Sequence, residues 1–185
     1  MKALWIAIFM LTLLWSAIAP RDYPTWALEV APAVIGFIVL AATYNSFRLT
    51  PLLYLLILVH CVILMVGGHY TYAEVPIGDW IREAVDGSRN DYDKLGHLAQ
   101  GFVPAVVGRE VVLRLDVVRS AGWRNFFIVG SVLGFSAFYE LIEWWVALLS
   151  DEAAEAFLGT QGYVWDTQSD MAWALAGAVA GLVLL

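Results

Sequence analysis

The sequence predicts an all-α membrane protein: a polytopic bundle of six transmembrane helices, with a short interfacial helix in its longest outer loop. Two observations carry this prediction. Of the 185 residues, 61% are hydrophobic and the mean hydropathy is +0.73, and the apolar residues form runs long enough to cross a bilayer. Because no linker or internal repeat divides the chain, residues 1–185 are predicted to form a single integral membrane domain.

The predicted spans are separated by short polar breaks. The first apolar run ends in Ala17–Ala19, which resembles a signal-peptide cleavage site, but Pro20 follows directly and argues against cleavage. Pro32 and Pro104 fall inside the second and fourth spans and predict kinks there. Gly67 and Gly68 are expected to end the third span. The six spans are predicted at about residues 3–19, 26–44, 51–67, 93–113, 123–149 and 165–185.

The longest loop, residues 69–92, contains an amphipathic segment. Its apolar and charged residues separate onto two faces, which is typical of a short helix lying in the membrane interface. The apolar face carries Trp80, Ile81, Ala84 and Val85, and the charged face carries Asp79, Arg82, Glu83 and Asp86. A second short helix is predicted after the fifth span, where Ser150 can cap it and two acids follow.

The distribution of charge predicts the orientation of the bundle. Four arginines surround the connection between spans four and five, so the positive-inside rule places it in the cytoplasm: Arg109, Arg114, Arg119 and Arg124. Six spans then put both termini in the cytoplasm, and the loops after spans one, three and five outside. The ten Lys and Arg residues form no basic stripe, so membrane lipid, not nucleic acid, is the expected partner.

Three helix ends each carry two ionisable residues at a spacing of three or four, so each pair shares one helix face. The pairs are Asp93 with His97, Glu140 with Glu143, and Asp166 with Asp170. The predicted topology gives all three pairs the same depth, and an ionised side chain facing lipid at mid-bilayer costs on the order of 3 kcal/mol. We therefore expect the pairs to face one another in one outward-facing site.

Two interpretations of this site are open. Five carboxylates against one histidine and Lys94 would repel one another, so the site must hold a cation, share protons or admit water. Acid and histidine pairs on neighbouring helices resemble the metal sites of helical bundles, and such ligands suit a divalent metal such as Zn, Mn, Fe or Mg. Alternatively, the residues form a buried polar network that locks the bundle and binds nothing.

The metal interpretation gives the candidate residues distinct roles. The candidate ligands are His97, Glu140, Asp166 and Asp170. The candidate catalytic groups are His97, Asp93 and Glu140, with His97 or a carboxylate as general base. Further possible site residues are His69, Glu143, Lys94 and Gln100. Outside the site, His60 is expected to hydrogen-bond a neighbouring helix, and two pairs of glycines predict close helix packing: Gly130 with Gly134, and Gly177 with Gly181.

Four segments of the sequence closely resemble the YjdF family of bacterial inner-membrane proteins. They are residues 66–76, 96–104, 136–145 and 159–170, which include the predicted site. The resemblance covers essentially the whole chain. It implies a multi-pass protein of the bacterial inner membrane, and it implies no reaction.

The second half is also similar to the VanZ-like membrane family. In that family an Asp-Lys-x-x-His opening of one span precedes an acid in the next span and an Asp near the start of the last. The residues in those places here are Asp93, Lys94, His97, Glu140 and Asp170. The arginine that is common between the last two motifs of the family has no counterpart in this chain between residues 143 and 170.

Together these observations predict a multi-pass inner-membrane protein with a periplasm-facing acid and histidine site. The leading hypothesis is a metal-dependent enzyme that acts on a lipid or lipid-linked envelope substrate. The alternatives are a transporter or a lipid- or cation-binding protein, in which the acids relay protons, and a bundle that only scaffolds partners. Phosphate-binding glycine loops, nucleophile elbows and zinc-protease motifs are absent from the sequence, so no named reaction follows.

Overall fold

The computed structural model describes residues 2–149 and 160–185, and all regular structure in these two ranges is helical. There is no strand in this part of the chain, so the all-α prediction is confirmed. The helices are α1 (Lys2–Ser16), α2 (Tyr23–Thr43), α3 (Pro51–Tyr70), a 3-10 helix (Tyr72–Glu74), α4 (Pro76–Ala84), α5 (Tyr92–Arg114), α6 (Ala121–Ala147) and α7 (Asp166–Leu184). The helix predicted from Ser150 lies outside the described residues.

Three of these helices, α2, α3 and α6, are both long and apolar enough to cross a membrane. Helix α1 is equally apolar but has 15 residues, and α5 and α7 carry acids and other polar groups in their first turns. The structure therefore supports a membrane protein with several candidate spans. The number six stays a prediction.

Helix α3 ends at Tyr70, three residues beyond the predicted end at Gly67. The helix continues through both glycines, and neighbouring groups pack closely against it at these two positions. A Cβ at Gly67 would overlap the ring of Tyr72, and a Cβ at Gly68 would lie 3.1 Å from the Cβ of Glu29. These glycines therefore serve helix packing and do not terminate the helix.

Helices α5 and α7 pack most closely. A Cβ on Gly177 of α7 would overlap the carbonyl oxygen of Leu98, and a Cβ on Gly101 of α5 would overlap the backbone of Ala174. Only a hydrogen at both positions allows the two backbones to approach this closely. The close packing expected at Gly177 is thus present, and it brings the first turns of α5 and α7 side by side.

The close packing predicted for Gly130 and Gly134 is not found among the described residues, because no atom lies within 4 Å of a Cβ built at either position. Helix α6 packs against α5 and α7 through a different face, which buries Ile128, Val132 and Ser136. The two glycines lie on the opposite side. The sequence motif alone does not identify which face of α6 meets a neighbour.

The first three helices share an apolar core. Phe9 of α1, Val30 of α2, and Cys61 and Met65 of α3 are buried together in it. The thiol of Cys61 is therefore an apolar core group. Asp22 caps α2 by accepting a hydrogen bond from the Thr25 amide at 2.7 Å. The ionisable residues gather on the other side of α3, between α2, α5, α6 and α7.

Candidate metal centre

His97 lies at the centre of a cluster of acids from α5, α6 and α7, which we call the acid cluster. Its Nε2 atom is 3.4 Å from Asp93 Oδ1 and 3.8 Å from Glu140 Oε1. Two sets of three residues could each hold a metal ion, because their possible ligand atoms all lie within 4.8 Å of one another: Asp93, His97 and Asp170; and His97, Glu140 and Glu143. The structure thus brings together five of the residues that the sequence singled out.

Helical spacing and glycine packing together produce this convergence. Asp93 and His97 are four residues apart in the first turns of α5, so they point to one side. The close approach of α7 to α5 brings Asp170 beside them, and the last turns of α6 bring Glu140 and Glu143 to the same end of the bundle. Three helices therefore supply the cluster at one depth.

The acid cluster is buried and incompletely hydrogen-bonded. His97, Glu140 and Asp170 are 8%, 7% and 3% exposed. His97 Nδ1, Glu140 Oε1 and Asp170 Oδ1 are buried without a hydrogen-bond partner among the described residues. A buried polar group without a partner costs about 1–3 kcal/mol. Three such atoms in one place are available to hydrogen-bond or coordinate a further group.

The donor set of the acid cluster suits a divalent cation. It offers four carboxylates and one imidazole, and these ligand types bind Zn, Mn, Fe or Mg. The nearby cations are already engaged: Lys94 Nζ lies 2.7 Å from Asp91 Oδ1, and Arg89 binds Asp166. Negative charge therefore exceeds positive charge inside the cluster, and a bound cation or shared protons would balance it.

Asp166, a predicted ligand, lies at the mouth of the cluster and belongs to neither set of three. The Nη1 atom of Arg89 lies 2.5 Å from its Oδ1. Burial opposes the charge on Arg89, but the hydrogen bond and the charge of Asp166 outweigh burial and raise the pKa of Arg89 above its ordinary value. Asp166 is thus held by a permanent cation, and its role as a ligand stays a prediction.

His69 lies away from the acid cluster. His69 belongs to the last turn of α3, whereas the sequence predicted it just past the end of the helix. Its side chain points toward α1. Its Nδ1 atom is 3.0 Å from the Ser16 carbonyl oxygen, and its ring centroid is 4.5 Å from that of Trp15. The three residues by which α3 extends beyond its predicted end at Gly67 explain this difference from the expected outer site.

Lys94 and Gln100 flank the cluster on α5. Lys94 turns outward, binding Asp91 and lying 5.9 Å from the ring centroid of Tyr163. Gln100 lies one helical turn deeper than His97, and its Oε1 atom is buried without a hydrogen-bond partner in the described part of the chain. The structure places both residues beside the cluster without assigning either a catalytic role.

Sequence reasoning missed Glu29, a buried acid on α2. It is 5% exposed, and the Tyr139 hydroxyl donates a hydrogen bond to its Oε2 at 2.9 Å. Because Tyr139 immediately precedes Glu140 on α6, this hydrogen bond places Glu29 beside the acid cluster. An acid inside an otherwise apolar span is rare and usually functional, so Glu29 could have been recognised from the sequence. The spacing argument does not find it, because Glu29 has no ionisable residue three or four positions away.

Tyr72, in the 3-10 helix, closes the cluster on the same side. Its ring fills the space left by Gly67 of α3 and Gly96 of α5, where an added Cβ would overlap it. Burial, with the neighbouring charge of Glu29, raises the pKa of Tyr72 well above its ordinary value. The hydroxyl therefore stays protonated and can donate a hydrogen bond toward the acids.

Asn90 fixes the outer side of the site. Its side chain donates to the Val75 carbonyl at 2.9 Å, which ties the start of α4 to the start of α5. Its backbone amide donates to Gln161 Oε1, and Gln161 Nε2 donates to its carbonyl, both at 2.9 Å. The segment leading into α7 is thereby joined to the same point. The Ser-Arg-Asn sequence before α5 gave no periodic signal from which these contacts could be predicted.

Comparison with known proteins supplies a family. Residues 1–185 match the model of a family described as "Predicted membrane protein (DUF2238)". The chain is 50% identical over 175 residues to the inner membrane protein YjdF of Escherichia coli strain K12, and the match covers 95% of this chain and 84% of the relative. No solved structure matches. The resemblance to the YjdF family is confirmed, whereas that to the VanZ-like family stays a prediction.

Proposed function

Because the chain belongs to the DUF2238 family of predicted membrane proteins, we propose that it is a multi-pass inner-membrane enzyme that binds a divalent metal ion in the acid cluster. Its substrate is a lipid or a lipid-linked component of the cell envelope. The observation that carries this proposal is the convergence of three helices on His97, with buried atoms of His97, Glu140 and Asp170 that lack a partner in the described residues.

The proposed topology has six spans, formed by α1, α2, α3, α5, α6 and α7. Arginines surround the connection between α5 and α6, which supports a cytoplasmic position for residues 115–120. The acid cluster lies at the opposite end of these two helices. It therefore faces the periplasm, and residues 2 and 185 lie toward the cytoplasm.

A lipid-type substrate is supported by the surface beside the cluster. Helix α4 exposes Trp80 at 69% and Ile81 at 57%, while Arg82 and Asp79 pair with each other at 3.0 Å. A short helix with this division of residues lies in a membrane interface, with its apolar face toward acyl chains. Because Asn90 ties α4 to the start of α5, a lipid headgroup beside α4 would lie near the mouth of the cluster.

The residues of the cluster divide the chemistry between them. Asp170, His97, Glu140 and Glu143 would hold the ion, whose Lewis acidity would polarise an ester or phosphoryl oxygen of the substrate. Asp93 lies 3.4 Å from His97 Nε2 and holds the imidazole in place. Whichever carboxylate or imidazole nitrogen is not a ligand can accept a proton from an attacking water.

The experiment compares envelope lipids in cells that lack the gene and carry the wild type, Asp170→Asn or His97→Gln. Asp116→Asn is the control, because Asp116 is exposed and pairs with Arg119 far from the cluster. We expect one lipid or lipid-linked species to accumulate in the deletion strain and in both cluster variants, and to be cleared by the wild type and the control. Identical lipid profiles in all five strains would contradict the enzyme proposal.

A second candidate function is the transport of protons or cations. The Glu29–Tyr139 hydrogen bond favours it, because this pair extends the ionisable groups from α5, α6 and α7 onto α2. In the same comparison, a transporter would leave lipid profiles unchanged. Proton or cation uptake into vesicles containing the wild type would then be lost in Glu29→Gln and kept in Asp116→Asn.

A further inference from the structure

Three polar side chains lie one helical turn deeper than the acid cluster, and we propose that they line a water-filled pocket reaching His60 in the middle of α3. This pocket goes beyond the proposed function, because it holds water whether or not a metal binds above it. Its ligand is a small group of water molecules. The three residues are His60, Gln100 and Ser136.

The depth of the pocket follows from helix geometry. Gln100 lies three residues after His97, and Ser136 lies four residues before Glu140, so each continues the face of a cluster residue about 4.5–6 Å further along its helix. His60 lies at the midpoint of the 20-residue helix α3, roughly 15 Å from either end. Leu53 and Ile57, which share a helix face with His60, belong to one apolar cluster with Val106 and Phe102 of α5, so this face of α3 meets α5.

Each of the three residues has an unsatisfied polar atom. His60 Nε2, Gln100 Oε1 and Ser136 Oγ are buried without a hydrogen-bond partner in the described ranges, and Ser136 is fully buried. The interior of a helical bundle in a membrane offers no bulk water to such atoms, so each lacks the hydrogen bond that it would make in water. Three unsatisfied atoms on three helices at one depth point to a shared ligand.

Water fits the proposed pocket better than an ion or a lipid tail does. The three side chains that line the pocket are an imidazole, an amide and a hydroxyl, which together need a ligand that both donates and accepts hydrogen bonds. None of the three is a carboxylate, so a cation would be held in the acid cluster above. An acyl chain would leave all three atoms unsatisfied. A buried water typically makes about three hydrogen bonds, which matches the pocket.

The neighbouring residue on α3 provides an internal control. Cys61 is at the same depth as His60 but points into the apolar core, where it packs with Phe9 and Met65. Leu58 is buried in the same core. Helix α3 therefore separates the water-filled pocket on one side from the apolar core on the other. A thiol on each side reports the difference, because only an ionised thiol reacts quickly and an apolar environment opposes ionisation.

The test measures the rate at which a small water-soluble thiosulfonate modifies single cysteines in the full-length protein in lipid nanodiscs. The wild type reports Cys61, and His60→Cys, Ser136→Cys and Leu58→Cys are each made with Cys61→Ser. We expect the thiols at positions 60 and 136 to react at least about tenfold faster than those at 58 and 61, because only they contact water. Metal is omitted, so the outcome does not depend on the proposed enzyme function.

Equal, slow modification at all four positions would overturn the pocket. Ser136→Cys replaces a hydroxyl with a thiol of similar size, so it remains decisive if His60→Cys does not fold. A variant is counted as folded when it elutes as a single species. Slow reaction at position 136 in a folded protein contradicts the proposal on its own. If the wild-type protein binds no metal but the thiol at position 136 reacts fast, the metal-binding proposal is rejected and the pocket is kept.

Discussion

The Arg89 guanidinium binds the Asp166 carboxylate at 2.5 Å, and both side chains are less than one-tenth exposed. The pair joins the connection before α5 to the first turn of α7, at the mouth of the acid cluster. Removing one partner of a buried ion pair leaves an uncompensated charge, which typically costs about 3–5 kcal/mol. This contact therefore has a measurable role in holding the site together.

Arg89→Gln is expected to lower the free energy of unfolding by about 3 kcal/mol, because Asp166 is left buried and unpaired. Arg82→Gln is the matched control: Arg82 pairs with Asp79 at 3.0 Å, but each side chain is about one-third exposed, so its loss is expected to cost less than about 1 kcal/mol. Equilibrium unfolding in mixed detergent measures both. Equal costs for the two variants would show that the Arg89 pair is not buried in the native membrane.

The α5–α7 contact is tested by adding one methyl group. Gly177→Ala places a Cβ in overlap with the Leu98 carbonyl oxygen, and such overpacking is expected to destabilise the protein by about 1–3 kcal/mol. Gly134→Ala, which has no atom within 4 Å, is expected to be neutral or stabilising by up to about 1 kcal/mol, since alanine is the better helix former. Thermal unfolding of both variants distinguishes these effects. A stable Gly177→Ala variant would contradict the close packing.

The acid cluster was predictable because its residues form local pairs. Asp93 with His97 and Glu140 with Glu143 lie on one helix face at spacings that the sequence shows directly. Their meeting across helices followed from the cost of charge in lipid. The pairing depends only on short-range spacing, and the convergence depends only on the cost of placing a charge in lipid. Neither prediction requires knowing which helices are in contact.

The remaining features depend on contacts between residues far apart in sequence. Arg89 and Asp166 are separated by 77 positions, and Tyr139 and Glu29 by 110, so no local pattern reveals either pair. His69 was placed wrongly because α3 continues past Gly67 and turns the histidine toward α1. The Gly130–Gly134 motif was assigned to a helix contact that the described residues do not contain. To predict each of these features, one must know which neighbour a given helix face packs against, and the periodicity of the sequence does not specify this.

The proposed orientation predicts the labelling pattern of two exposed loops. In a Cys61→Ser background, Leu115→Cys lies in the arginine-rich connection and Ser88→Cys in the outer loop before α5. An impermeant thiol reagent added to intact cells is expected to label position 88 and to label position 115 only after the membrane is opened. Labelling of position 115 in intact cells, with position 88 protected, would reverse the topology.

Helix α4 is predicted to lie in the membrane interface with its apolar face toward lipid. An environment-sensitive fluorophore at Ile81→Cys should emit as in an apolar solvent, whereas the same probe at Glu83→Cys, on the charged face, should emit as in water. Both variants carry Cys61→Ser. Emission spectra in nanodiscs are the measurement, and water-like emission from both positions would exclude an interfacial helix.

Metal content tests the central claim most directly. Purified wild-type protein, loaded with Zn²⁺ or Mn²⁺ and dialysed, is expected to retain a stoichiometric amount of metal by mass spectrometry. Asp170→Asn and His97→Gln should lose it, because each removes a ligand from the acid cluster, and Asp116→Asn should retain it. Wild-type protein that holds no more metal than Asp170→Asn, with both variants folded, would contradict the account and leave the cluster a polar network.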